Sequence, residues 1–403
     1  VALSYSELSA HLQTSRLSAS MWTYLWDFAD EGYDTVFGHL RENGLTEVSL
    51  AATYHAGRFL APHNPKRKVI FLEDGRISFQ PNLSRYGRIK PLVHSLIEEG
   101  HSLATVRHHA ERYGMRTNAW VVCCHNTPLG TAYPDIACRN VFGDPLPHNL
   151  CPSNDDLRAY LRSLVVDVAS HGVGRIELEA LQFQGYTHGF HHERDGIPLT
   201  TAMRFLLGLC FCPACEQRAC TEGIDFDDVR RFTRSTLEKL FRNPSPVNEQ
   251  FKTLSDLPAA IFDPYHKWRK NVVVSLMQEL KEALVKEKLT DVQLRPLVSI
   301  DPLARTMVGI EPVRVAGFTG GILVPAYVKD GEVLRGPLLE LLDLIRQAEL
   351  ILGFHVGLPE SGGKAEFLSR VQTARELGVD KFNFYNYGFI PLEHLRWIRE
   401  GLS

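Results

Sequence analysis

A chain of 403 residues, 44% apolar and 23% charged, can bury a substantial core as one large domain or two ordinary ones, with the balance of a soluble globular protein. Its formal charge of −3 sets up no field that would draw it to nucleic acid or anionic lipid. No apolar run reaches the roughly 18 residues a membrane helix needs, and the opening VALSYSELSAHLQTSRLSAS lacks the apolar stretch of a signal peptide.

In chain order, short apolar runs alternate with longer amphipathic ones. The predicted strands are SMWTYLWDF (20–28), EVSLAATY (47–54), NAWVVCCH (118–125), RIELEALQF (175–183), VQLRPLVSI (292–300), GGILVPAY (320–327), LILGFHV (350–356) and KFNFYNYG (381–388). Between them, YDTVFGHLRENG, DDLRAYLRSLVVDVASHG, LRGPLLELLDLIRQAE and KAEFLSRVQTARELG carry apolar residues at i, i+3, i+4 and i+7, several closed by Gly. Strands each followed by a helix predict an α/β fold, a (β/α)8 TIM barrel forming one domain over 1–403. An open doubly wound sheet is the alternative, but no glycine-rich fingerprint follows the first strand, and the GxG at 172–174 precedes a strand. Two intervals exceed a plain βα unit, so insertions are expected at about 55–87 and 184–290 on the carboxyl-terminal face. The first contains KRKVIFLEDGRISFQP, which reads as a hairpin turning at Asp74-Gly75.

Strand ends of a barrel converge on one mouth. Here they supply Trp26 and Asp27; Tyr54, His55 and Arg58; His125 and Asn126; Glu177 and Glu179; Asp301; Tyr327; His355 and Glu360; and Tyr385, Asn386 and Tyr387. Acids, imidazoles, amides and flat rings together suit a sugar, whose hydroxyls need polar partners and whose ring faces need aromatic platforms. Glu177 and Glu179 share parity and so share one face of the fourth strand. A carboxylate inside a barrel is costly unless it is paired or used. Glu177 has a structural reading, an ion pair with Arg175 or Arg295, beside a substrate-binding one. Glu179, nearer the open end, is the expected catalytic residue, because burial raises a carboxyl pKa towards general-acid work near neutrality. Glycoside hydrolysis uses two carboxylates, about 5–5.5 Å apart for retention or roughly 6.5–9.5 Å for inversion. Glu360, in GLPESGG, is the first candidate partner, with Asp301 and Asp27 in reserve.

The loop HGFHHER (188–194) offers His188, His191, His192 and Arg194. No HExxH pattern accompanies it, so hydrogen bonding to substrate by His188, His192 and Arg194 is favoured over a metal site. Eight cysteines are too sparse for a stapled secreted fold, and adjacent Cys123 and Cys124 read as buried thiols. These features favour a reduced, cytoplasmic protein. Cys210, Cys212, Cys215 and Cys220 have a spacing that can hold a structural zinc, although buried thiols are the plainer reading.

GVGRIELEAL resembles the "GVDG-x-x-x-(D/E)" strand of a mostly uncharacterised glycoside-hydrolase-like group of barrels, related to the amylase-like and family-10-like barrels. NLCPSNDDLRAYLRSLVVDVASHGVG is similar to that group's "LCP-x-N-P-x-V-R-x-Y" stretch, with Asp155 where proline is usual. FLLGLCFCPAC resembles its "CFC-x-x-C" segment, and GVDKFNFYNYGFIP its "GVDG-x-x-x-Y-N-Y-G" eighth strand. The resemblance spans most of residues 20–403. It implies a glycosidase-type barrel in which the acid aligned with Glu179 is catalytic, and it leaves the second carboxylate and the sugar open.

The expected function is therefore cleavage of a glycosidic bond by carboxylate acid/base catalysis, needing no cofactor. His55, His125, Asn126, His192, Tyr385 and Asn386 would hold hydroxyls, while Trp22, Trp26 and Tyr387 would stack on rings. A metal-dependent sugar isomerase or lyase and a non-catalytic carbohydrate-binding barrel are the alternatives. The expected partner is a small carbohydrate or glycoside, not nucleic acid or a membrane. Oligomeric state is open, with a homodimer among the options.

Overall fold

The computed structural model describes residues 17–186 and 192–403. His188 and His191 lie outside the described residues.

Eight strands run parallel: β1 (Ser18–Thr23), β2 (Glu47–Tyr54), β3 (Arg116–Val122), β4 (Arg175–Glu179), β5 (Gln293–Pro296), β6 (Gly321–Pro325), β7 (Glu349–His355) and β8 (Lys381–Tyr385). Their order is β5-β4-β3-β2-β1-β8-β7-β6. A parallel bridge between Leu297 and Leu323 closes the ring, with Val298 N donating to Leu323 O at 2.9 Å. The strands read as near-continuous apolar runs because helices cover one face and the barrel interior the other. The helix Asp155–Ser170 shows how the outer layer is set. Asn154 Oδ1 accepts from Leu157 N at 3.0 Å, Asp155 and Asp156 occupy the first turn, and Leu157, Leu161, Leu164, Val165 and Val168 turn inward.

The long stretch after β4 holds the helices Thr201–Leu207, Pro213–Thr221, Phe226–Arg242, Pro244–Gln250 and Ala259–Lys286. No described helix is long and apolar enough to cross a membrane.

Three local expectations change. The run SMWTYLWDF is a strand only to Thr23, and Leu25–Glu31 is helical. Asp27 Oδ2 accepts from Tyr24 N at 2.8 Å, capping that helix. The strand beginning at Arg175 ends at Glu179, because Ala180 takes φ 53°, a left-handed conformation that cannot continue a strand. The hairpin across Asp74-Gly75 does not form. Val69–Phe71 pairs instead with Arg58–Leu60, placing Phe59 opposite Ile70, while Arg76–Ile77 adds to β2 beside Thr53 and Tyr54. Gly75 sits so close to Asn126 that a Cβ there would lie 2.4 Å from Oδ1, which fixes the turn against the barrel.

The base of the interior is a network of ions. Glu47 accepts from Ser18 Oγ at 2.6 Å and Asn118 Nδ2 at 2.8 Å, and pairs with Arg116 and, at 3.0 Å, with Arg175. Burial alone would raise its pKa, but Arg175, Ser18, Asn118 and Arg116 bring it down to about 2.

Candidate functional site at the barrel mouth

A cavity of about 540 Å³ opens at the carboxyl-terminal ends of the strands, with Trp22, Tyr54, Trp120, Glu179, Asp301, Tyr327, His355 and Tyr385 among its lining residues. Strand parity delivers these groups. Trp120 stands opposite Glu177 in the β3–β4 register, so the indole reaches up beside Glu179. Its Nε1 donates to Glu179 Oε2 at 2.6 Å. Trp22 and Tyr54 pack on Trp120 at ring separations of 5.6 and 4.6 Å, and Tyr385 meets Trp22 at 5.8 Å. Trp22 fits only because β7 offers a glycine: a Cβ at Gly353 would lie 2.8 Å from Trp22 Cη2. Burial in this aromatic wall raises the Glu179 pKa, against the opposing pull of His55 and the Trp120 hydrogen bond.

Across the cavity, His355 closes β7. Its Nδ1 meets Glu360 Oε2, its face stacks on Tyr327 at 3.9 Å, and its edge meets Tyr385 at 4.8 Å. Arg370 Nη2 holds the His355 carbonyl at 2.7 Å and Ser361 Oγ at 2.7 Å. Burial lowers the His355 pKa, with Glu360 acting the other way. Asp301 lines the cavity, yet its oxygens accept from Leu303 N at 3.0 Å and Ala304 N at 3.3 Å, capping the helix Pro302–Val308.

Of the expected site residues, the mouth brings together Glu179, Asp301, His355 and Tyr385, with Glu360 behind His355. His55 stands beside Glu179, stacked between Tyr54 and His125 at 4.2 Å from each. Several others have different work. Glu177 is fully buried and accepts from Trp22 Nε1 (2.7 Å), Ser49 Oγ (2.8 Å), Arg175 Nη2 (2.9 Å) and Asn383 Nδ2 (3.0 Å). It is a structural acid and its partner is Arg175, because Arg295 pairs with Glu349 at 2.7 Å. Trp26 is buried against Tyr24 at 4.2 Å, and Asp27, also buried, is a cap whose pKa burial pushes up to about 8. Asn126 is spent on Leu129 N at 2.9 Å and Gly75 O at 3.1 Å. Asn386 caps Gly388 N at 3.1 Å, and Tyr387 is buried, donating to Glu31 at 2.9 Å. Arg58 is exposed on the hairpin, and His192 is exposed with φ 56°. Arg194 lines a separate cavity of about 570 Å³ with His148, Glu193, Asp195 and Arg204.

Trp120, on the cavity wall, is absent from the residues expected at the site. Its signal was parity with the third strand's polar Asn118, which marks it as facing the interior.

The thiol cluster also differs from expectation. Cys151, Cys210, Cys212 and Cys215 are buried, with their Sγ atoms all within 4.8 Å of one another. Cys151 Sγ lies 3.4, 3.5 and 3.8 Å from those of Cys215, Cys212 and Cys210. Tetrahedral zinc with Zn–S near 2.3 Å sets sulfurs about 3.8 Å apart, so this set fits the metal. Cys220 is exposed. It follows Cys215 by five residues in the helix Pro213–Thr221, about 140° around the axis, and so faces away.

No family model matches the chain, and no curated protein matches it in sequence. Solved structures match in fold. The β-galactosidase of psychrophilic Marinomonas ef1 superposes with TM-score 0.59 at 9% identity, over 95% of this chain and 58% of that one. That of the Antarctic haloarchaeon Halorubrum lacusprofundi gives 0.57 at 12% identity, over 96% and 57%. That of Rahnella sp. R3 gives 0.56 at 12% identity, over 97% and 56%. The chain thus spans less than two thirds of each of these proteins. It shares with them the (β/α)8 barrel, the fold that the resemblance in sequence implied.

Proposed function

We propose that the protein hydrolyses a glycosidic bond in the barrel mouth, with Glu179 as proton donor to the leaving oxygen and the β7 side of the cavity supplying the opposing group. The observation that carries this reading is Glu179 itself. Its carboxyl stands at the rim of a cavity, oriented by one indole N–H and raised in pKa by an aromatic wall. A carboxylic acid kept protonated towards neutral pH beside a space of that size is suited to protonating a glycosidic oxygen. Tyr327, partly exposed on top of His355, offers a platform for a sugar face. The β-galactosidase fold is in keeping with the same chemistry.

The test is turnover of an aryl-glycoside panel, covering galactosides, glucosides, fucosides and N-acetylhexosaminides, by wild type and Glu179→Gln. Loss of the acid should abolish cleavage of poor leaving groups while sparing dinitrophenyl glycosides, which depart without protonation. Equal loss for both leaving groups, or none, would refute the acid role.

For the thiol cluster the reading is structural zinc held by Cys151, Cys210, Cys212 and Cys215. Four thiolates would saturate the ion, so it would brace the insertion after β4 and leave the chemistry to the barrel mouth. The protein should contain about one zinc per chain by atomic emission, and Cys212→Ser should lose metal and thermal stability together, whereas Cys220→Ser should lose neither.

A further inference from the structure

Hydrolysis with one carboxylic acid still requires a group that activates the incoming oxygen or takes its place. The three carboxylates considered opposite Glu179 are all engaged, Asp27 as the cap of the helix Leu25–Glu31. Asp301 caps a helix, and Glu360 is turned onto His355. The group between Glu360 and the open space is the His355 imidazole, which lines the cavity. Glu360, Tyr327, Tyr385 and Arg370 fix that ring through its Nδ1, its face, its edge and its carbonyl. Its Nε2 has no hydrogen-bond partner among the described residues. A carboxylate on Nδ1 holds the proton there and leaves the lone pair on Nε2.

Resting on the glycosidase reading above, the geometry points to His355 as the general base of an inverting hydrolysis, with Glu360 as the positioning residue that sets its tautomer. Nε2 takes a proton from a cavity water as that water's oxygen bonds to the anomeric carbon. The glycosidic C–O bond breaks with its electron pair on the leaving oxygen, which receives the Glu179 proton. The products are a sugar of inverted anomeric configuration and the free alcohol. The imidazolium is stabilised by the Glu360 carboxylate until solvent carries its proton away and reprotonates Glu179. The groups facing His355 are Glu360 from the following loop, Arg370 from the helix Lys364–Glu376, Tyr327 after β6 and Tyr385 on β8. Burial keeps the imidazole neutral to lower pH, the form a base needs.

Three measurements test this. Proton NMR of the first product anomer from wild type should show inversion; retention, or a glycosyl adduct trapped on Glu360, overturns the base role and leaves the glycosidase reading standing. His355→Asn should lower kcat by about 10²–10⁴ and remove the acid limb of the pH profile, and His355→Gln serves if the first variant folds poorly. Glu360→Gln should shift that limb to lower pH, because the imidazolium loses its counter-charge; an unmoved limb counts against the dyad. The third measurement does not depend on turnover. Diethyl pyrocarbonate should modify His355 at Nε2, as mapped by mass spectrometry, and an unmodified ring overturns the proposal. Failure of the glycosidase reading has a different signature, no turnover by wild type of any glycoside in the panel, whatever the leaving group.

Discussion

Glu177 and Glu179 stand two residues apart on one strand, point into one barrel and have opposite surroundings. Glu177 is enclosed by an indole, a hydroxyl, a guanidinium and an amide, each within 3.0 Å. Glu179 has the Trp120 indole on one side and the cavity on the other. Both are acids in low dielectric, and a buried charge is tolerated only when donors replace the water it lost. At Glu177 that replacement is complete, so the residue links β1, β2, β4 and β8 and has nothing left to offer a ligand. At Glu179 it is incomplete, so the carboxyl keeps an open side towards the cavity and is available to react. What separates a structural acid from a candidate catalytic one here is the number of fixed donors, not depth alone.

Substitutions at the two acids separate their roles. The largest effect is expected at Glu179. Glu179→Gln should cut kcat on poor leaving groups by about 10²–10⁴ while preserving the fold. Its stability effect has a definite sign. A carboxyl whose folded pKa is raised above its unfolded value opposes folding once pH exceeds the unfolded pKa. The variant should therefore melt at or above wild type at pH 8 and show no such advantage at pH 4. A lower melting temperature at pH 8 would mean that Glu179 is a structural acid like its neighbour. Glu177→Ala should do the reverse. Removing one partner leaves Arg175 as a buried cation that retains Glu47 but loses its nearer acid, for a loss of about 3–5 kcal/mol in denaturant unfolding.

Gly353→Ala sharpens the contrast at a smaller scale. The added methyl would press on Trp22, which both donates to Glu177 and lines the cavity beside the Trp120 indole. Overpacking of this kind costs about 1–3 kcal/mol. Because the ring borders the cavity, KM should rise with the loss of stability; an unchanged KM would detach Trp22 from substrate.

Much of this was legible in the sequence for physical reasons. Eight apolar runs separated by amphipathic stretches gave the barrel, because strands covered on both faces must be apolar. The period of two put both acids on one inner face, and the direction of the strand put Glu179 nearer the open end. What was not legible depended on contacts between distant segments. The unpunctuated SMWTYLWDF reads as one strand, and the Asp27 cap ends it at Tyr24. Val69–Phe71 alternates well enough to pair across Asp74-Gly75, but Phe59 offers a packed partner on the other side. Cys151 joins Cys210 across 59 residues, which no local spacing reveals. Asn126, Asn386 and Asp301 share the weakness of every polar residue at a strand end, because the helix or turn that follows needs a cap as much as a ligand needs a partner.

Asp301 gives the smallest expected effect and the sharpest remaining test. As a cap, its loss in Asp301→Ala should cost about 1 kcal/mol of stability, with kcat hardly changed and KM moved little by a residue on the cavity wall. As the second carboxylate of a two-acid mechanism, its loss should instead stop turnover with the fold intact. Kinetics and denaturant unfolding on one variant separate the two. A collapse of kcat would mean that a carboxylate with two backbone donors can still be catalytic. The donor count that distinguishes Glu177 from Glu179 would then fail as a criterion at the rim of the barrel, where water can replace what the backbone leaves open.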